Sequence, residues 1–151
     1  MSIYVFVYGT LRAGEINDLA QAALRRGLPP PRHVGAATVP GVLVDFGDWP
    51  GLIPVEDGRR VRGDIFEVTP QLLRLMDEIE EYVPGRPGFF VRRPVLARPL
   101  APDAARDAAP DAPPVACQYY PIDPAWRAAA VDVDSDDWIA YRQARAPRLP
   151  P

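Results

Sequence analysis

Residues 3–12 read IYVFVYGTLR. Ile3 to Tyr8 is an unbroken apolar and aromatic run, the pattern of a strand buried on both faces. The run stops at Gly9-Thr10, where glycine permits a sharp turn that a side chain would obstruct. Downstream, Asn17-Asp18 can cap a short helix over LAQAALRR, which Gly27 ends. Pro29-Pro30-Pro31 then forces an extended connector. From Val34 to Val68 the texture is that of strands, with Val42-Leu43-Val44 and Val61 to Val68 the clearest, separated by a turn cluster at 47–51. Thr69-Pro70 supplies a capping hydroxyl and a proline for a helix that runs to Glu80 or Glu81. Phe89 to Ala97 and Val115 to Tyr120 read as a strand pair, and Ser135 to Arg145 as a last helix capped by Ser135 or Asp136. The expected class is α+β: a small, mostly antiparallel, barrel-like sheet with two or three flanking helices.

The chain has 151 residues, 48% hydrophobic and 25% charged, which suits a single globular domain over 1–151. Residues 99–114, PLAPDAARDAAPDAPP, hold one leucine and no aromatic residue. They read as a flexible Pro/Ala/Asp-rich hairpin insertion, with a partner-binding arm as the alternative. The end, residues 146–151, is expected to fray. Seventeen basic against twenty acidic residues give a net charge of −3, which argues against a nucleic-acid partner. Every basic residue is Arg, so lysine-dependent chemistry is excluded. Neither a membrane span nor a secretory leader is expected. One cysteine and one histidine rule out an internal disulfide and a multi-histidine metal site. The expected location is cytoplasmic.

The helix after Thr69 carries the most informative geometry. Leu72, Leu75, Met76 and Ile79 form one apolar stripe. Glu80 lies roughly 90° from its centre at about 100° per residue, at the edge of the core. Asp77, Glu78 and Glu81 lie farther round, toward solvent. A carboxylate at that edge loses hydration, and three nearby acids push the same way, so its pKa should rise toward the range useful for general acid–base work. An inert boundary carboxylate has the same signature on the wheel. The Tyr8-Gly9-Thr10-Leu11 turn can expose backbone N–H groups to a carboxylate or a developing oxyanion, although an ordinary tight turn reads identically.

Five motifs occur in order: Val5 to Arg12 (VFVYGTLR), Trp49-Pro50-Gly51-Leu52, Arg62 to Val68 (RGDIFEV), Met76 to Tyr82 (MDEIEEY) and Phe90-Val91-Arg92. Together, over roughly residues 3–126, they resemble the γ-glutamylcyclotransferase-like family, which includes the γ-glutamylamine cyclotransferases and AIG2-like proteins. The resemblance implies a small β-barrel-like sheet with flanking helices. It also implies a cavity lined by the Tyr8, Gly9, Thr10 and Leu11 substrate loop and by Glu80, which aligns with the family's catalytic glutamate. The implied reaction is intramolecular aminolysis: Glu80 takes a proton from the substrate α-amine, which attacks its own γ-carbonyl to give 5-oxoproline, and Glu80 returns the proton to the leaving amine. No cofactor and no metal are needed, and the partner is a small-molecule γ-glutamyl compound. Three positions depart from the family pattern. Glu81 stands where Gly is usual, Phe90 where Tyr is usual and Met76 where Leu is usual. They keep two alternatives open: a non-catalytic metabolite-binding module on the same fold, and a cyclotransferase acting on a larger γ-glutamyl conjugate.

Lesser signals read more plainly. Asp132-x-Asp134-x-Asp136 begins like a calcium loop but has Asp137 and Gln143 where Gly and Glu are required. Cys117 reads as a small core residue and His33 as a surface residue. Trp138 and Tyr141 read as packing residues. Tyr119 or Tyr120 could supply a pocket hydroxyl. Arg59, Arg60 and Arg62 read as a solvated face.

Overall fold

In the computed structural model, which describes residues 3–12, 14–15, 18–47, 49–83, 88–100 and 113–144, the first strand β1 (Ile3–Val7) is buried on both faces. It pairs antiparallel with β5 (Arg60–Val68) and parallel with β7 (Val115–Tyr119). The helix α1 (Leu19–Arg25) separates β1 from β2 (Arg32–Pro40), and β6 is Arg93–Pro99. The order β1-β5-β2-β6-β7 closes into a barrel, in which every described pairing except β1 with β7 is antiparallel. A second sheet has the order β4-β3-β8, from β3 (Val42–Asp45), β4 (Pro50–Ile53) and β8 (Val131–Asp132). The fold class expected from sequence is the one found.

The apolar run of β1 follows from its two environments. Phe6 and Tyr8 join Val39, Val61, Ile65, Ala97 and Cys117 in the core that all five barrel strands contribute to, with Trp138 of α3 (Trp138–Ala144) packed into the same cluster. Val5 and Val7 join Leu19, Ala22 and Ala23 of α1 and Leu72, Leu75 and Met76 of α2 (Pro70–Ile79). Cys117 is a free, buried thiol pushed up to about 12 by burial, consistent with its reading as a core residue. No helix among the described residues is long and apolar enough to cross a membrane.

Several local readings change. Pro50 and Gly51 do not belong to a turn; they begin β4, an edge strand where proline's missing donor costs no ladder bond. The strand expected from Phe89 starts only at Arg93, and Phe90 instead forms an isolated bridge with Ile122. A 3-10 helix, Pro124–Ala129, is an element the sequence pattern does not signal. The cap of α3 is Asp137, whose carboxylate accepts from the N–H groups of Ile139 and Ala140 at 3.0 and 3.2 Å. Arg62 is no solvated residue but lies 3.8 Å from Asp137. His33 is exposed as expected, yet it sits in β2 with Nε2 3.1 Å from Asp64. Residues 101–112 of the expected insertion, the tail at 146–151 and Asn17 lie outside the described residues.

The end of α2 sets the position of Glu80. The N–H of Tyr82 donates to Asp77 O at 2.8 Å and that of Glu81 to Glu78 O at 3.1 Å. These are the two bonds of a Schellman cap, with Glu80 as the capping residue and Glu81 just beyond it. The helix therefore stops at Ile79, one residue short of the shorter boundary expected. The cap requires a left-handed residue after Glu80, and Glu81 supplies it at φ 55°. A non-glycine residue in that conformation costs about 1 kcal/mol. Replacing it as Glu81→Gly is expected to stabilise the protein by about 0.5–1 kcal/mol in urea unfolding. Gly63 shows the opposite constraint. A Cβ on Gly63 would strike the carbonyl oxygen of Val7 and the ring of Phe6 where β5 crosses β1. Gly63→Ala is expected to cost about 3 kcal/mol, read as a lower midpoint in the same titration.

Candidate active site

The turn after β1 and the cap of α2 face one another across a cavity of about 410 Å³. Its lining includes all five residues singled out from the sequence: Tyr8, Gly9, Thr10, Leu11 and Glu80. The turn is held by its carbonyls, with Arg12 N–H on Gly9 O at 3.0 Å and Leu19 N–H on Leu11 O at 3.1 Å. Gly9 is needed for a reason other than the one its sequence context suggests. It does not use a left-handed conformation; a Cβ there would sit 2.5 Å from Pro50 Cγ, so glycine lets the turn lie against β4. Tyr8 contributes its ring to the wall while its hydroxyl is used internally. The hydroxyl donates to Tyr120 O at 2.7 Å and accepts from Leu52 N–H at 3.2 Å. Burial first, then the nearby Glu80 carboxyl, raises the Tyr8 phenol well above its ordinary value.

Behind the turn, Arg12 is buried between two carboxylates. Its Nε donates to Asp64 at 2.8 Å on β5 and its Nη1 to Asp137 at 3.0 Å at the start of α3. The turn is thereby tied to the barrel and to the last helix.

Glu80 reaches the cavity from the capping position of α2. Burial pushes its carboxyl up to about 7. The direction is the one expected, but burial is its cause, without the expected contribution of the neighbouring acids. Asp77 does not face solvent: it accepts from Arg92 Nη1 at 2.8 Å and from the Tyr120 hydroxyl at 2.6 Å. Glu78 is 62% exposed and lies 3.6 Å from Arg26. Glu81, in the left-handed position, is exposed and also lines the cavity. Tyr120, weighed in the sequence as a pocket hydroxyl, does line the cavity, with its hydroxyl held by Asp77. Burial and the Asp77 carboxylate both raise that phenol's pKa, so it stays protonated.

Apart from Glu81, the remaining wall is apolar and aromatic: Phe6, Trp49, Pro50, Ile79, Phe89 and Phe90. Trp49, Pro50 and Phe90 stand in motifs visible in the sequence, but nothing there marked them as cavity residues. Asp77 was placed on the wrong side because its partners lie 15 and 43 residues away, beyond the reach of a helical wheel.

The arrangement can bind a small, partly polar ligand with one end against the turn and its reactive part beside a carboxyl that titrates near neutrality. The chain is 38% identical over 81 residues to the gamma-L-glutamyl-butirosin B gamma-glutamyl cyclotransferase of Niallia circulans, 52% of this chain and 46% of that protein. It is 33% identical over 101 residues to the gamma-glutamylaminecyclotransferase of Rattus norvegicus, 64% of each chain. The chain thus spans about half to two thirds of the length of these curated relatives. The crystal structure of an AIG2-like protein from Mus musculus shares the fold, with a TM-score of 0.62 at 24% identity over 89% of this chain and 90% of that one. Residues 5–140 match the family described as gamma-glutamyl cyclotransferase, AIG2-like, and the chain belongs to that family.

Proposed function

We propose that this protein is a γ-glutamyl cyclotransferase that releases 5-oxoproline from a γ-glutamyl amine, peptide or conjugate, with Glu80 as the proton-transfer group. The observation that carries the reading is the convergence of a carboxyl titrating at about 7 and the Tyr8–Leu11 turn on one cavity. The names of the curated relatives support the reaction class.

In the proposed reaction the α-carboxylate and γ-carbonyl of the substrate lie against the amides of the turn, whose N–H groups stabilise the oxyanion. The substrate's α-ammonium lies beside Glu80. That positive charge favours the ionised carboxylate, and the carboxylate in turn accepts a proton to free the amine. The amine nitrogen forms a bond to the γ-carbon, and the bond from that carbon to the leaving nitrogen breaks. Over the whole reaction the α-nitrogen loses two protons and the leaving nitrogen gains two, so the products are a neutral lactam and an ammonium. Glu80 carries protons between them and ends as it began. Nucleophile and electrophile share one molecule, so orientation supplies much of the rate, and the mechanism calls on no cofactor and no metal. A cytoplasmic location fits the free thiol of Cys117.

The test is 5-oxoproline release from γ-glutamyl amines, γ-glutamyl dipeptides and glutathione, run beside Glu80→Gln. The native protein is expected to turn over at least one class, and the variant to lose about 10²–10⁴ in kcat/KM. Ligand-induced thermal shifts without any release would instead establish a binding module. In the native enzyme kcat/KM should rise with pH through an apparent value near 7, as Glu80 ionises.

The same burial makes a stability prediction. Glu80 releases its proton at a lower pH unfolded than folded, from an ordinary value of 4.5 against about 7. Its contribution is therefore intact below pH 4.5 and falls as pH rises to about 7, because only the unfolded chain ionises freely in that window. Glu80→Gln is expected to flatten that part of the stability curve and to leave the variant about 2–3 kcal/mol more stable than the native protein at pH 8, measured by urea unfolding.

A further inference from the structure

An aromatic shelf leads out of the cavity from Glu80. Trp49 and Phe89 line the cavity with Glu80, and their ring centroids are 6.3 Å apart. Phe46 packs beneath both, 4.7 Å from Phe89 and 6.3 Å from Trp49. Trp126, on the 3-10 helix, extends the shelf outward at 5.2 Å from Phe89. Trp49 and Trp126 are 42% and 47% exposed, so neither indole is spent on the core. Leaving such area in water costs free energy that packing does not return.

The backbone behind the shelf is tied down. Asp123 N–H donates to Phe89 O at 3.0 Å, Val91 N–H to Pro121 O at 2.9 Å, and Phe90 bridges to Ile122 between them. The segment carrying Phe89 is thus locked to the one that leads into Trp126. Rings held in place before binding lose little entropy when a ligand stacks on them.

Among the described residues that line the cavity, formal charge has one sign. The ionisable side chains among the described lining residues are Glu80, Glu81 and tyrosines, and none is cationic. Two described arginines on these segments have acidic partners of their own. Arg92 is bound to Asp77 at 2.8 Å and lies over the Tyr82 ring, and Arg127 faces Asp132 at 3.8 Å. A carboxylate on the departing group would meet aromatic faces and acids there. An apolar body stacks on the rings, and a cationic one is attracted to them.

Resting on the cyclotransferase reading, we propose that the Trp49–Phe89–Trp126 shelf is the leaving-group subsite and that it selects amines with an aromatic or apolar body and no carboxylate. The γ-glutamyl part lies between the turn and Glu80, and the departing amine lies on the rings. Amino-acid and peptide leaving groups, which keep a carboxylate, are disfavoured.

A matched pair of substrates isolates the effect. γ-Glutamyl-phenethylamide and γ-glutamyl-phenylalanine differ by a single carboxylate, and γ-glutamyl-ethylamide lacks the ring. Initial rates of 5-oxoproline release are measured for the native protein, Trp126→Ala and Trp49→Ala, with a thermal melt confirming that each variant is folded. The expected kcat/KM for the phenethylamide is at least about 10-fold above both others, chiefly through KM. In either variant the phenethylamide-to-ethylamide ratio should fall by about 5-fold or more. Equal rates on phenethylamide and phenylalanine substrates, or a ratio unmoved by both substitutions, would overturn the subsite while leaving the cyclotransferase reading intact. Silence on all three with release from glutathione or another γ-glutamyl dipeptide would overturn the subsite alone, and silence across that whole panel would overturn both.

Discussion

Arg12 holds the site together from behind. Its guanidinium is buried, and it is satisfied only because Asp64 on β5 and Asp137 at the head of α3 converge on it at 2.8 and 3.0 Å. Asp137 uses one oxygen both for this pair and to cap α3. Losing either partner would leave a charge out of water without compensation, which costs far more than the pair itself contributes. The pairing therefore acts as a geometric constraint. The turn that ends in Arg12 can occupy only the place from which that side chain reaches both carboxylates. Trp138, the residue after Asp137, is anchored in the barrel core, so the far end of the chain helps to fix the turn near its beginning.

The opposite wall is fixed by a different device. A helix that ended raggedly could not hold Glu80 still, but the two Schellman bonds close α2 at that residue and turn the chain immediately afterwards. Asp77, one turn earlier, is bound by Arg92 and Tyr120, and Tyr120 in turn accepts the Tyr8 hydroxyl through its carbonyl. The two walls are thus joined by hydrogen bonds through Tyr120 as well as by packing. Glu80 itself receives burial from this framework, and burial is what moves its carboxyl toward neutrality.

Much of this was legible in the chain because the signals were local. The uninterrupted run IYVFVY could be read as doubly buried since strand alternation puts successive side chains on opposite faces, and both proved covered, one by the barrel core and one by α1 and α2. The edge position of Glu80 followed from a helical period that remains valid up to the cap. What failed was non-local. Asp77 was sent to solvent because only the folded barrel brings Arg92 and Tyr120 to it. Pro50 was read as a turn because nothing in WPGL tells an edge strand from a bend. Gly9 was assigned a backbone freedom it does not use, when the constraint is the ring of Pro50 from another strand. The aromatic shelf was invisible for the same reason: Phe46, Trp49, Phe89 and Trp126 come from three separate stretches of chain.

Away from the cavity, local chemistry and global fold agree almost everywhere. Asp18, Thr69, Asp123 and Asp137 each cap the helix that follows with their own side chains. The barrel core is apolar, and the buried Arg12 is paired. Several departures meet around the cavity, although exposed apolar side chains such as Leu24 and Leu96 lie elsewhere. Glu80 is a carboxyl held where ionisation is disfavoured. Glu81 occupies a left-handed position better suited to glycine. Trp49 and Trp126 keep indoles in water. Each of these carries a cost in stability. A fold that satisfies its rules elsewhere tolerates such costs where binding or reaction requires them. The meeting of a buried carboxyl, a left-handed Glu81 and half-exposed indoles around a single cavity is therefore an argument for the site that does not depend on family membership, since it follows from burial, backbone conformation and exposure alone.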